Sequence, residues 1–143
     1  MKLLLNFQND KINILNLLDF DLWELMYVLN TDIIQSYTCI HRTETTLEYI
    51  FQFEPISFFP AFYTHMMVTK ENNTYSIKTI ESSIKNCVQI LTRNECIHVS
   101  GTEHNVNVHV EFDLCSDNDI INNFIEKRFI KIYSRIKEHI QSI

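Results

Sequence analysis

Ten consecutive residues near the C-terminus, 105–114, alternate without exception. Val106, Val108, Val110, Phe112 and Leu114 are apolar, while Asn105, Asn107, His109, Glu111 and Asp113 between them are polar. Period two over that length specifies a β-strand with one dry and one wet face. The strand runs directly into a helical pattern. Ser116-Asp117-Asn118-Asp119 supplies an N-cap with an acid three residues on, and Ile121, Ile125, Phe129, Ile132, Ile136, Ile140 and Ile143 then recur at steps of three and four. A one-faced strand leading into a one-striped helix needs one shared core, so the terminal helix is expected to lie across the sheet.

The rest of the chain supports one α+β domain over 1–143, close to the usual domain size. Lys2–Gln8 and Lys11–Leu17 are short apolar runs around Asn9-Asp10, readable as a hairpin or as a strand entering a helix. Leu22, Trp23, Leu25, Met26, Leu29 and Ile33 are spaced for a helix from about Phe20 to Asn30, capped by Asp19 or Asp21, with a second short turn to Ser36. From Tyr37 to Leu114 the pattern is strands and turns. Leu47, Tyr49, Phe51 and Phe53 alternate with polar residues up to Pro55, with Ile50 the apolar exception on the second face. A strand through Phe62, Thr64, Met66 and Val68 follows the aromatic loop Ile56–Phe59 and Pro60. Asn72-Asn73, Arg93-Asn94 and Gly101-Thr102 read as turns, giving further strands at 75–80, 86–92, 95–100 and 104–114. The sum is one antiparallel sheet of six or seven strands, a short N-terminal helical segment and a long C-terminal helix.

Composition excludes several functions. Hydrophobic residues at 45% argue against disorder, and no apolar run reaches the length of a membrane span. A net charge of −6 argues against a nucleic-acid surface. The one basic cluster, Lys127, Arg128, Lys131, Arg135 and Lys137, occupies the C-terminal half of the last helix, where the helix dipole favours cations. A single glycine, Gly101, leaves no phosphate-cradling loop. The start Met1–Leu5 is interrupted by polar residues before a signal peptide forms, so a cytoplasmic, reducing location is expected, with Cys39, Cys87, Cys96 and Cys115 as thiols and the Asn72-Asn73-Thr74 sequon as an unused turn. Abundant Ile, Asn and Phe against scarce Gly and Pro is the bias of AT-rich coding, as in many large DNA viruses, organelles and some parasites.

Strand, helical excursion, antiparallel meander and closing helix, in that order, resemble the START/Bet v 1-like helix-grip superfamily. The similarity spans most of the chain and lies in element order, without the glycine-containing loop common in plant members and with one strand more than the usual meander. The resemblance implies a curved sheet gripping the terminal helix and an apolar cavity between them for a lipid or other hydrophobic molecule. By analogy its lining would come from Phe51, Phe53, Val108, Val110, Phe112, Ile125, Phe129 and Ile132, with His65 as a polar group directed into it.

Motifs for chemistry are sparse, and no cofactor is expected. Thr38-Cys39-Ile40-His41 and Glu95-Cys96-Ile97-His98 each place a thiol and an imidazole two apart, and the four together, Cys39, His41, Cys96 and His98, would make a Cys2His2 metal set if their strands touched. In the helix-grip order those strands lie several positions apart. A Cys–His nucleophile pair, with Cys39 or Cys96 and His41, His98, His104 or His109, would have to form across strands, since residues two apart stand about 6.5–7 Å from each other. The expectation is therefore a non-enzymatic domain that binds a hydrophobic small molecule. The rival is an interaction or assembly module, homodimeric or with another partner. A second apolar set on the last helix, Ile120, Phe124, Ile130 and Tyr133, together with the aromatic loop Ile56–Phe59, motivates it.

Overall fold

A computed structural model describes residues 1–56 and 58–143. Eight strands and three helices follow in the order β1 (Lys2–Gln8), α1 (Ile14–Leu17), α2 (Asp21–Leu29), β2 (Ile34–Arg42), β3 (Thr46–Phe53), β4 (Phe62–Glu71), β5 (Thr74–Thr79), β6 (Val88–Gln89), β7 (Thr92–Gly101), β8 (Asn105–Leu114) and α3 (Asp119–Ser142). The sheet order is β1-β8-β7-β5-β4-β3-β2, antiparallel throughout, with β6 pairing β4 in parallel off this path. This is the expected α+β architecture.

Strands β1 and β2 occupy opposite edges, so the chain between them must cross the sheet. Helices α1 and α2 make that crossing and close one end of the core. Trp23 on α2 sits edge-on to Tyr75 of β5, with ring centroids 5.4 Å apart, and 6.1 Å from Tyr49 of β3. The expected second turn forms but stops at Ile34, short of Ser36. Ile33 and Ile34 are fully buried, and the Ile34 N–H closes back on Asn30 O at 2.7 Å before the chain extends as β2. Two adjacent buried isoleucines fit both periods, and β3 supplies the ladder that chooses strand.

The alternation in β3 and β8 is realised residue by residue. Leu47, Tyr49, Phe51 and Phe53 are buried, as are Val106, Val108, Val110 and Phe112. The Asn72 turn joins β4 to β5 with φ 55°, and Gly101, at φ 120°, opens the β7–β8 hairpin. A Cβ at Gly101 would collide with the Asn105 carbonyl, so only glycine fits.

Two expected boundaries are corrected. The strand expected over 86–92 shrinks to β6. The chain leaves the sheet after Thr79, and its return at Val88 and Ile90 donates to Ala61 and Tyr63 carbonyls at 2.8 Å each, filling the place beside β4 that β5 vacated. Arg93-Asn94 is no turn. It lies inside β7 at a register shift between Thr92 and Glu95, where a bulge leaves two consecutive residues in solvent and so imitates turn composition.

Helix α3 starts at Asn118, whose Oδ1 accepts from Ile120 N–H and Ile121 N–H at 3.0 and 3.2 Å; Ser116 serves one step earlier, accepting the Asn118 N–H. Ile125, Ile132, Ile136 and Ile140 are buried, Ile121 and Phe129 half-buried, and Ile143 exposed. Burial of such a side chain stabilises by about 1.5–3 kcal/mol. At the far end Asn9 Nδ2 donates to Ile140 O at 2.7 Å and to Ile143 O at 3.2 Å, closing the helix with a side chain from the β1–α1 turn. The basic cluster is partly paired. Arg135 grips Asp32 with both guanidinium nitrogens, one at 2.9 Å, and Lys131 lies 3.9 Å from the same carboxylate.

Candidate functional site

The residues expected to line a cavity converge between sheet and α3, but most of them fill that space. Phe129 lies between the two halves of the sheet, its ring 5.0 Å from Phe112 of β8 and 6.0 Å from Phe53 of β3. Phe53 stacks on Phe62 at 4.8 Å, and Phe51 continues the series toward Tyr49 at 4.7 Å. Phe51, Phe53, Val108, Val110, Phe112, Ile125 and Ile132 are each at most 3% exposed.

Open space remains at the N-terminal end of α3. A cavity of about 380 Å³ lies between Ile121 and Ile125 of the helix, Leu114 at the end of β8, and Val88–Leu91 with Phe59 on the other wall. Of the expected residues only Ile125 lines it. Asn122, one residue from Ile121, also lines it. Its Nδ2 donates to Ser116 O at 2.8 Å, which fixes the amide, while its Oδ1 is sealed from solvent with no donor among the described residues.

Outside this cavity, β7 carries a charged residue on the inward face of the sheet. The β7–β8 register pairs Thr92 with Leu114 and then Glu95 with Phe112, while β5 places Ile77 on the other side of Glu95. Ile97, Val99, Ile77 and Phe112 are all buried, so Glu95 shares the inward face with them. The residue is half-buried beside the bulge. Burial pushes the carboxyl up to about 7, against the pull of the Thr92 hydroxyl. Tyr133 of α3 and Tyr49 of β3 lie close enough to feel its charge. Burial raises both phenols strongly, and Glu95 adds to this. None of the ion pairs among the described residues includes Glu95. Asn122 Oδ1 is the one fully sealed side-chain polar atom lacking a partner among the described residues.

Glu95 is legible in the sequence in principle. Ile97 and Val99 assign the inward parity of β7, and Glu95 is the charged residue that breaks it. Tyr133 corrects an expectation, since it belongs to the buried stripe at 5% exposure and not to a leftover surface stripe. Ile120 and Ile130 are exposed as expected, and Phe124 is half-covered by Phe58, 5.4 Å away, and by the Arg128 guanidinium at 5.0 Å. Of the aromatic loop 56–59, Ser57 lies outside the described residues.

His65 does not face the cavity. It alternates with the core residues Phe62, Met66 and Val68, pairs with Ile50, and stands on the outer face of the sheet. There Nε2 meets Glu48 Oε2 at 2.8 Å and Nδ1 meets Ser82 Oγ at 2.9 Å, while Tyr63 donates to Ser82 O at 2.8 Å. This chain of contacts fastens the 80–87 excursion to the sheet, and Ser82 itself is exposed.

The Cys2His2 set is not assembled. Cys39 and His41 lie on β2 at the edge, Cys96 and His98 on β7, with β5, β4 and β3 between them. The Cys96 thiol is pushed up by burial and then by Glu111, the opposite of thiolate activation. His98 and His109 are cross-strand neighbours on the outer face, with rings 6.3 Å apart.

No family model matches the chain, and no curated protein matches it in sequence. Solved structures do. The human StarD13 (DLC2) lipid transfer and protein localization domain superposes with a TM-score of 0.70 at 11% identity, covering 99% of this chain and 77% of that one. TTHA0849 from Thermus thermophilus gives 0.63 at 7% identity over 98% and 95% of the two chains. A ginseng major latex-like protein 151 from Panax ginseng gives 0.57 at 12% identity over 97% and 96%. At such identities the likeness establishes fold. No helix among the described residues is long and apolar enough to cross a membrane.

Proposed function

The chain has the START/Bet v 1-type helix-grip fold, and from that premise we propose that it binds a hydrophobic small molecule or lipid between the sheet and the N-terminal half of α3. The cavity of about 380 Å³ carries this proposal. It falls in the lower part of the range of ligand pockets and joins apolar walls to a few oriented polar atoms. The aromatic packing of Phe53, Phe112 and Phe129 closes the rest of the interior, so the ligand is small or has one chain. Of the expected residues Ile125 lines the cavity, and Phe129 closes the interior beyond. The StarD13 domain is by name a lipid transfer domain, which is in keeping with this use of the fold.

Extraction of the purified protein with organic solvent followed by mass spectrometry tests the proposal, together with Nile red binding. A retained apolar compound, or saturable dye binding abolished by Ile121→Trp with an unchanged circular dichroism spectrum, is expected. Ligand-free protein that binds no dye would refute it.

A second use has its own observation. Ile120 at 75%, Phe58 at 62% and Val88 at 42% exposed stand near the cavity mouth, an apolar patch that suits a protein partner or a second copy of the chain. Light scattering across a concentration series, on wild type and Ile120→Glu, tests the homodimer.

A further inference from the structure

We propose that Ser82, His65 and Glu48 form an acyl-transfer site on the outer face of the sheet, in which Ser82 Oγ attacks small, activated carboxylic esters. The site is separate from the cavity under α3 and independent of what that cavity binds.

Three polar groups stand in a chain. Ser82 Oγ lies 2.9 Å from His65 Nδ1, and His65 Nε2 lies 2.8 Å from Glu48 Oε2. A carboxylate only accepts, so Nε2 carries the proton of the neutral imidazole and Nδ1 presents its lone pair to the serine hydroxyl. A nucleophile within hydrogen-bond reach of a base, itself oriented by a third group, is the arrangement that activates serine on unrelated folds. Burial is graded in the order this needs. Ser82 is exposed, Glu48 is half-buried and His65 is 8% exposed, so substrate reaches the hydroxyl while the base behind it is shielded. The backbone of Ser82 is held separately: its N–H donates to Gln89 Oε1 at 2.9 Å, and its carbonyl accepts from the Tyr63 hydroxyl at 2.8 Å. Oγ can therefore react without releasing the loop. The Tyr63 oxygen stands 3.2 Å from Oγ, and by turning its proton from Ser82 O it becomes the donor nearest the developing oxyanion. Ile50 and Met67, the strand partners of His65 and Glu48, share the outer face and are half-buried, an apolar floor for a short acyl group.

In the first step Oγ bonds to the acyl carbon as its proton passes to Nδ1, and the C–O bond to the alcohol breaks, the alcohol leaving with that proton. A water then gives a proton to Nδ1 as its oxygen bonds to the acyl carbon, and Ser82 recovers the proton as the carboxylic acid departs.

Hydrolysis of p-nitrophenyl acetate by the full chain tests this, together with labelling by a fluorophosphonate, whose fluoride Oγ displaces. The adduct is expected on Ser82 and not on its neighbour Ser83 by peptide mass spectrometry, and to be lost in urea. Ser82→Ala is expected to remove both reactions, His65→Gln to slow both at least about a hundredfold, and Ser83→Ala to leave them unchanged. Glu48 is a positioning residue. Glu48→Gln is expected to lower kcat at least about tenfold with KM unchanged, a split that a loosened loop would not produce. If the His65 and Glu48 variants do not fold, the site of labelling in the wild-type chain decides. No adduct on Ser82, equal labelling of Ser82 and Ser83, or hydrolysis undiminished in Ser82→Ala would overturn the proposal and leave the interior binding site untouched.

Discussion

The Phe129 ring on α3 meets the Phe112 ring on β8 at an interplanar angle of 65°, with centroids 5.0 Å apart. One helical turn before it, at Ile125, the interior is open; from Phe129 onward it is filled. Phe129 thus divides cavity from core. Phe129→Ala is expected to enlarge the cavity toward Tyr133 and to cost about 3 kcal/mol, the lower end for a phenylalanine because the ring is half-buried. Urea denaturation measures the cost, and increased Nile red uptake reports the enlargement.

Glu95 makes stability depend on pH in an unusual sense. Its carboxyl is pushed up to about 7 in the fold from an ordinary value of 4.5. Between these values the unfolded chain releases the proton while the folded chain keeps it, so the unfolded state binds fewer protons and stability falls as pH rises. The contribution is fully present below about pH 4.5, declines through the window and is level above about pH 7. Its size is up to about 3 kcal/mol. The groups facing Glu95 are Thr92 and the phenols of Tyr49 and Tyr133, which do not titrate in this range. Urea midpoints at about pH 5 and about pH 7.5, on either side of most of that window, should differ in wild type and lose most of the difference in Glu95→Gln.

Asp32 acts in the opposite direction. The Arg135 guanidinium holds its carboxyl below the usual range, so the pair stabilises above that range and is lost as pH falls through the lowered value. Exposure of both partners limits the contribution to about 1 kcal/mol. Arg135→Leu is expected to destabilise by about that amount and to speed hydrogen exchange in the C-terminal half of α3, where the clamp joins the helix to the α2–β2 junction.

The His65 contacts predict a local effect. His65→Ala removes the partner of both Glu48 and Ser82, so the 80–87 excursion should loosen while the core under α3 stays packed. Limited proteolysis is expected to cut first within this segment in the variant, at a global cost of about 1–3 kcal/mol.

Gly101 has no substitute. At φ 120° an added Cβ meets the Asn105 carbonyl, so Gly101→Ala should cost more than about 1 kcal/mol and shift the thermal midpoint downward by several degrees.

Much of the architecture is legible in the sequence because its signals are local. The alternation of β8 and the stripe of α3 each repeat over enough residues to fix a period, and Asn72 and Gly101 occupy the positive-φ positions that their turns require. Sequence and structure diverge where two patterns share one composition. Arg93-Asn94 has turn residues because a bulge also exposes consecutive side chains, and Ile33-Ile34 fits helix or strand until β3 supplies a ladder. The candidate site is legible only in part. Ile125 lines the cavity as its place in the stripe predicts, whereas His65, isolated among apolar neighbours, turns to the opposite face, because parity along β4 is hidden when both faces are apolar.

The sequence by itself determined β3, β8 and α3 and which face of each sheds water, because these follow from periodicities of two and 3.6 along a single segment. The tertiary structure decided what the grip encloses. Whether Phe53, Phe112 and Phe129 fill the interior, and where Ile125 and Asn122 meet the space left over, depends on the fit of side chains from segments far apart in the chain. Packing volume is a property of that convergence and of no single segment.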